Sequence, residues 1–262
     1  MFQKSLGDST LSKADKNPWM VYGKPCPTAS VRLFCFPYAG GSALTFRNWK
    51  DCFAAFVDVW PIQLPGRGLR LQEPMYTSMD LLVDAIEAAI SDYLDKPFAF
   101  FGHSMGAIIA FELCHKLRLK RGLDAAHLFA SGCKAPQVPD RRQTFNLPQH
   151  ELIEELMRLE GTPVELLENP DVLELMLPLL RADLELVQTL RYIPRAPLLC
   201  PITVWGGTSD KEVSLEDLQA WRHQSSAEFR LHMFPGNHFF LNHQQKPIVR
   251  LIAEQLSVLG AH

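Results

Sequence analysis

The chain lacks any run of about eighteen apolar residues, the length a helix needs to cross a bilayer. Even the apolar stretch from Met79 to Ile90 carries Asp80, Asp84 and Glu87, so no transmembrane span or membrane partner is expected. The first thirty residues have no apolar segment of the signal-peptide kind; they mix Lys4, Asp8, Lys13, Asp15 and Lys16 with Ser and Thr. A cytoplasmic protein is the expectation. A charge imbalance is missing as well: 26 Lys plus Arg face 29 Asp plus Glu, a formal charge of −3, which leaves no global field to attract nucleic acid. The six cysteines, Cys26, Cys35, Cys52, Cys114, Cys133 and Cys200, form no C-x-x-C pair. Scattered and mostly set in apolar runs, they read as reduced, buried thiols.

What is there suits one sizeable core. The chain has 262 residues, 47% hydrophobic and 21% charged, ordinary values for a globular protein, and α/β domains of this size commonly fold as one unit. Short β-rich runs at Val31–Phe36, Val57–Leu64, Phe98–Phe101, His127–Ser131, Ile202–Trp205 and Phe229–Phe234 read as strands. Pro61 points to an edge position or an early end for the second of them. Helical spacing recurs between them: Phe46, Trp49, Phe53 and Phe56 suggest one helix over 44–56, Ser78 is placed to cap a helix running to about Leu94, and further helices cover Ala107–Leu117 and Pro247–Val258. From about Lys134 to Pro197 only helical spacing is found, with Leu152, Ile153, Leu156 and Leu159 on one face and Leu175, Leu179, Leu186 and Leu190 on another. Alternating strands and helices predict an α/β fold with a mainly parallel sheet covered on both faces. The expected organisation is an N-terminal extension over 1–30, a domain over 31–262 and a helical insertion within it over 134–197.

Gly102-His-Ser-Met-Gly106 lies between a continuous apolar strand and a helix. In that setting G-x-S-x-G reads as a nucleophile elbow, its glycines leaving room for a tight turn that thrusts out the Ser104 hydroxyl. The plainer alternative is a strand-to-helix turn whose serine caps the helix. A serine hydroxyl needs a base, and of nine histidines His238 stands best, in Phe234-Pro-Gly-Asn-His-Phe-Phe240 after the last strand. His103 adjoins Ser104 but is expected to point away from it, while His115, His127 and His232 fall inside elements where core or surface roles are expected. Asp210, in the loop after Ile202–Trp205, supplies the carboxylate in the chain order Ser, Asp, His; its alternative is to cap the next helix, which Ser214 could do instead, and Glu212 is a weaker substitute. Two backbone N–H groups are candidates for an oxyanion hole, those of Met105 and of Ala39 in Pro37-Tyr-Ala-Gly-Gly41, which is otherwise a plain glycine turn. His238 and His243 lack a third ligand nearby, and Gly40-Gly41 is neither a P-loop nor a dinucleotide fingerprint. No metal or cofactor is implied.

Six segments taken together, Phe36-Pro-Tyr-Ala-Gly-Gly-Ser42, Leu64-Pro-Gly-Arg-Gly68, Phe100-Phe-Gly-His-Ser-Met-Gly-Ala107, Leu180-Arg-Ala-Asp183, Gly207-Thr-Ser-Asp-Lys-Glu-Val213 and Phe234-Pro-Gly-Asn-His-Phe-Phe-Leu241, resemble the type II thioesterases, in order along almost all of the chain. That resemblance implies an α/β-hydrolase fold with a helical lid over an acyl channel. It implies hydrolysis of acyl groups from the phosphopantetheine arm of acyl or peptidyl carrier proteins, clearing the stalled modules of nonribosomal peptide and polyketide synthases. It also implies Ser104, Asp210 and His238 as the triad and Ala39 and Met105 as the oxyanion hole. A monomer is the expectation. Asn237 departs from the pattern, which has Gly or Asp before the histidine.

Triad chemistry alone does not separate thioesters from esters, so an acyl-CoA thioesterase or a carboxylesterase is the alternative enzyme. An inactive synthase-binding module is the alternative outside catalysis. The leucines of the insertion line a tunnel or simply pack on the sheet. Arg67, Arg70, Arg141 and Arg142 fall in predicted loops, where they either face an acidic carrier or form a solvated surface.

Overall fold

The structure, a computed structural model, describes residues 17–23, 25–53, 55–139, 142–159 and 169–257. Six strands form one sheet: β1 (Val31–Phe36), β2 (Val57–Pro61), β3 (Phe98–His103), β4 (His127–Ser131), β5 (Ile202–Gly207) and β6 (Phe229–Phe234). Their spatial order is β2-β1-β3-β4-β5-β6 and every neighbouring pair is parallel. The α-helices among the described residues are α1 (Met79–Ile90), α2 (Met105–Arg121), α3 (Gln149–Leu159), α4 (Pro170–Gln188), α5 (Leu215–Gln219) and α6 (Gln245–Ser257).

A side-chain period of two splits each buried strand between two cores. On β1, Phe34 and Phe36 join the cluster under α1 and α2, whereas Val31, Leu33 and Cys35 join the one under α6. On β3, Phe98 and Phe100 go to the first and Ala99 and Phe101 to the second. This two-sided burial is why the strand reads as an uninterrupted apolar run. Phe101 lies with its ring centroid 4.7 Å from that of Trp49 and 5.7 Å from that of Trp205, and its burial contributes on the order of 2–3 kcal/mol. Pro61 sits on edge strand β2, where a missing N–H costs no ladder bond on the open side.

Four expectations need correction. The helix over 44–56 is instead two 3₁₀ turns, Ala43–Phe46 and Trp49–Asp51; Phe46 and Trp49 turn onto Phe101, and spacings of three fit a 3₁₀ turn as well as an α-helix. Ser78 occupies the N-cap of α1 but its hydroxyl caps nothing. On α4 the buried face is Leu177, Leu180, Asp183 and Leu186, while Leu175 is exposed. Of the cysteines only Cys35, Cys114 and Cys200 are buried; Cys52 is exposed and Cys26 and Cys133 are half-buried, all six being thiols outside any disulfide. Cys35 and Cys114 are buried on β1 and α2 and Cys200 in the loop before β5, whereas Cys26, Cys52 and Cys133 stand in loops nearer the surface, so apolar neighbours in sequence do not by themselves bury a residue.

Part of the expected N-terminal extension also belongs to the core. Trp19 and Met20 are buried with α1, the Trp19 carbonyl accepts from Gln63 N–H, and the Asn17 amide donates to the Ala89 carbonyl. Among the described residues, two helices, α3 and α4, lie in the stretch between β4 and β5. None of the helices among the described residues is long and apolar enough to cross a membrane.

Sheet order fixes where a ligand can enter. From β1 the chain crosses to β2 on one side, and β3 then takes the other side of β1. The loops leaving the carboxyl ends of β1 and β3 therefore part, opening the crevice where parallel α/β sheets bind ligands. Ala39 and Ser104 stand in those two loops.

Candidate active site

Ser104 is the residue between β3 and α2, and among the described residues it alone, glycines aside, has a positive φ, +53°. An L-residue held there is strained by roughly 1–3 kcal/mol, a cost that clusters at functional sites. Both glycines of the pentapeptide are sterically required. A Cβ on Gly102 would lie 2.1 Å from the Gly106 carbonyl oxygen, and one on Gly106 would lie 2.2 Å from that of Phe36. The start of α2 thus presses against the end of β1, which brings the loop holding Ala39 beside the Ser104 turn. Met105 is the first residue of α2, where N–H groups have no intrahelical acceptor. The two residues expected to supply oxyanion donors, Ala39 and Met105, thus stand on adjoining segments, the loop after β1 and the start of α2.

His238 arrives from the loop after β6, with its Nε2 3.1 Å from Ser104 Oγ and its Nδ1 2.8 Å from Asp210 Oδ2. A carboxylate can only accept, so Nδ1 carries the proton and Nε2 is left to receive one from the serine. The Asp210 side chain is almost wholly buried, 1% exposed. Its other oxygen accepts from the N–H of Glu212 at 2.8 Å and of Val213 at 3.3 Å, so the carboxylate is held at both ends. Capping of α5 falls to Ser214, in a reciprocal box with Asp217, which leaves Asp210 free for the histidine. Glu212 is engaged by Arg142 and Arg158.

The loops bearing the acid and the base are stitched to one another. Thr208 N–H donates to the Phe234 carbonyl at 2.8 Å and Ser209 N–H to that of Gly236 at 2.9 Å. A Cβ on Gly207 would fall 2.4 Å from the Asn237 carbonyl oxygen, so the approach depends on glycine. Asn237, the departure from the expected pattern, folds its own side chain locally: Oδ1 accepts from Phe239 N–H at 2.9 Å. A small cleft beside His238 is lined by Arg158, Leu159, Ser209, Lys211, Glu212 and Asn237. The end of α3 therefore reaches the site.

His103 is turned from Ser104 as expected, yet it belongs to the site. Its Nε2 is 3.0 Å from the His238 carbonyl oxygen and its Nδ1 2.8 Å from Ser131 Oγ. Because the carbonyl can only accept, Nε2 donates and Nδ1 accepts the Ser131 hydroxyl proton. The residue before the serine thus braces the backbone of the histidine, a role its position in the chain does not advertise.

Two arginines considered as surface cations are buried instead. Arg67 forms a two-pronged pair with Asp183 at 2.7 Å for each prong; Arg70 is paired with Glu73 and lies 4.0 Å over the Trp19 ring. Arg142 binds Glu212, and Arg141 lies outside the described residues. A carrier-facing patch built on these four finds no support. Asp183 is a residue that reading for chemistry missed, although a lone acid on the apolar face of a helix must find a partner.

A family model of the Thioesterase domain matches residues 31–256. The protein named linear gramicidin dehydrogenase LgrE, from Brevibacillus parabrevis, is 40% identical over 242 residues, 91% of this chain and 92% of its own length. The word dehydrogenase belongs to that protein's name; here Gly40-Gly41 lacks the glycine spacing of a dinucleotide site. Among solved structures, the RedJ thioesterase from the prodiginine pathway of Streptomyces coelicolor superposes with a TM-score of 0.84 at 37% identity, covering 88% of this chain and 92% of that one. The type II thioesterase BorB from the borrelidin cluster superposes with a TM-score of 0.82 at 33% identity, covering 90% and 96%. In sequence, in sheet order and in the setting of its serine, this chain belongs to the thioesterase family, alongside type II members, and is a thioester hydrolase of α/β-hydrolase fold.

Proposed function

We propose that the chain releases acyl groups from the phosphopantetheine thioester of acyl or peptidyl carrier proteins in a nonribosomal peptide or polyketide pathway. The observation that carries this reading is the Ser104–His238–Asp210 relay, with contacts of 3.1 and 2.8 Å, in a chain similar to thioesterases of such pathways.

Ser104 Oγ attacks the thioester carbonyl while His238 Nε2 takes its proton, and Asp210 stabilises the imidazolium. The N–H groups of Met105 and Ala39 receive the developing oxyanion, a contribution of about 2.7–4 kcal/mol per donor in comparable sites. Collapse expels the pantetheine thiolate, which His238 protonates. Water then attacks the acyl-enzyme with His238 again as base, and the free acid leaves. In this reading α3 and α4 form a lid: Leu159 lines the cleft beside His238, and Leu180 packs on Gly40. Movement of these helices admits the acyl chain. The protein works as a cytoplasmic monomer.

The test compares turnover of acyl carrier protein, acyl-CoA and p-nitrophenyl esters of one acyl group. The reading predicts the highest kcat/KM for the carrier. Preference for simple esters or for acyl-CoA would replace the substrate while leaving the chemistry in place.

A further inference from the structure

Asp183 stands on the buried face of α4, one turn after Leu180 and one turn before Leu186. A carboxylate in such a place costs several kcal/mol unless it is paired. Arg67 pairs it in fork geometry, Nη1 to Oδ2 and Nη2 to Oδ1, both at 2.7 Å. Stability alone does not account for the pair, because replacing a buried ion pair by apolar side chains of like volume is often neutral or favourable. Its further contacts do. Asp183 Oδ2 accepts the Gly40 N–H at 2.7 Å, and Arg67 Nη1 donates to the Gly41 carbonyl at 3.1 Å.

These two contacts grip one half of a turn. Gly41 N–H donates to the Tyr38 carbonyl at 2.8 Å, and Gly40 has φ +75°, the sign that marks the third position of a type II turn. The Tyr38 carbonyl and the Ala39 N–H share one planar trans peptide and point in opposite directions. With the carbonyl turned inward onto Gly41, the Ala39 N–H is aimed out of the turn. Whatever holds Gly40 and Gly41 therefore sets the direction of the Ala39 N–H. Leu180 closes on the same glycine, since a Cβ on Gly40 would lie 2.7 Å from its Cδ2.

We propose that Asp183, together with Arg67, is a positioning residue for the oxyanion loop: from helix α4 its carboxylate holds the Tyr38–Gly41 turn so that the Ala39 N–H meets the substrate's carbonyl oxygen when α4 is docked. The inference rests on the reading of Ala39 as an oxyanion donor. It makes the insertion helix part of the machinery rather than a cover, because undocking α4 releases the Gly40 N–H and the aim of its neighbour.

Three variants of the full chain test it: Asp183→Ala, Asp183→Asn, and the paired apolar change Arg67→Met with Asp183→Leu. Each is assayed for hydrolysis of hexanoyl-pantetheine, for affinity toward an alkyl trifluoromethyl ketone that forms a tetrahedral adduct with serine, and for thermal unfolding. Asp183→Ala and the paired variant lose kcat by about 10- to 100-fold, the scale of a misplaced group near reacting atoms, while KM stays within about threefold. Ketone affinity falls in parallel with kcat/KM, as it must when the missing interaction belongs to the transition state. Asp183→Asn, whose carbonyl oxygen still accepts from Gly40, keeps activity within about fivefold of the parent. A paired variant that melts like the parent and retains its kcat would overturn the proposal, as would a loss of melting temperature with kcat unchanged. Ser104→Ala separates the two levels: if it stayed active, the site reading itself would fail, whatever the Asp183 variants did.

Discussion

His103 and His238 are joined through the main chain, the Nε2 of the first 3.0 Å from the carbonyl oxygen of the second. Burial, and secondarily the positive charge of His238 when protonated, push the His103 pKa down to about 3, against the opposing pull of the bond to that carbonyl. The ring is therefore neutral at physiological pH and keeps one tautomer. Replacing it, His103→Ala, leaves the Ser131 hydroxyl and the His238 carbonyl without this partner, at about 1–3 kcal/mol for each group left unsatisfied. The expected outcome is a lower melting temperature together with a roughly tenfold slower reaction of Ser104 with a fluorophosphonate, because the base loses its brace. Unfolding curves and labelling rates measure the two effects separately.

The glycines of the elbow set the second expectation. Gly106→Ala drives a methyl group to 2.2 Å from the Phe36 carbonyl oxygen, a backbone atom with no rotamer to yield. Destabilisation of about 3 kcal/mol or more follows, at the upper end of overpacking effects. Gly122→Ala serves as a comparison, since a Cβ there meets nothing within 4 Å although φ is +64°. It costs only the left-handed backbone strain, about 1–2 kcal/mol. Chemical denaturation of both variants gives the ordering; equal losses would contradict the close approach of α2 to β1.

Acid sensitivity is the third. Burial, with help from Arg230, lowers His127 to about 4, against a small opposing effect of Glu228, while His103 is lowered to about 3, both from an ordinary 6.5. Between those values and 6.5 the unfolded chain binds protons that the folded chain refuses. Stability from these groups is therefore complete above pH 6.5 and is lost as pH falls toward 4 and then 3. Each histidine contributes a slope of roughly 1.4 kcal/mol per pH unit inside its window. Urea midpoints at a series of pH values should climb from pH 4 to 6.5, and His127→Gln should flatten that climb. An unchanged slope in the variant would remove His127 from the account.

Much of this architecture was legible beforehand where burial is two-sided or the chain order is constrained. The run Phe98–Phe101 leading into Gly102 identified the central strand and its elbow, because a strand covered on both faces has no polar alternation to confuse. Asp210 and His238 followed from their places after β5 and β6. The segment over 44–56 misled, since its aromatic spacing serves a 3₁₀ turn equally well, and only the packing of Phe46 and Trp49 on Phe101 decides. Arg67 and Asp183 are 116 residues apart, as are no two groups joined by a local rule. Nothing near Arg67 tells a solvated arginine in a glycine loop from a buried one. The brace from His103 was hidden for the same reason, its acceptor lying 135 residues away.

The most direct measurement is peptide mass spectrometry of the protein quenched during turnover of a hexanoyl-loaded carrier protein. The account predicts a hexanoyl ester on Ser104 and on no other residue, carrier returned to its free-thiol mass, and neither product with Ser104→Ala. Carrier cleared by Ser104→Ala at the parent rate, or an acyl group found on a different side chain, would contradict it.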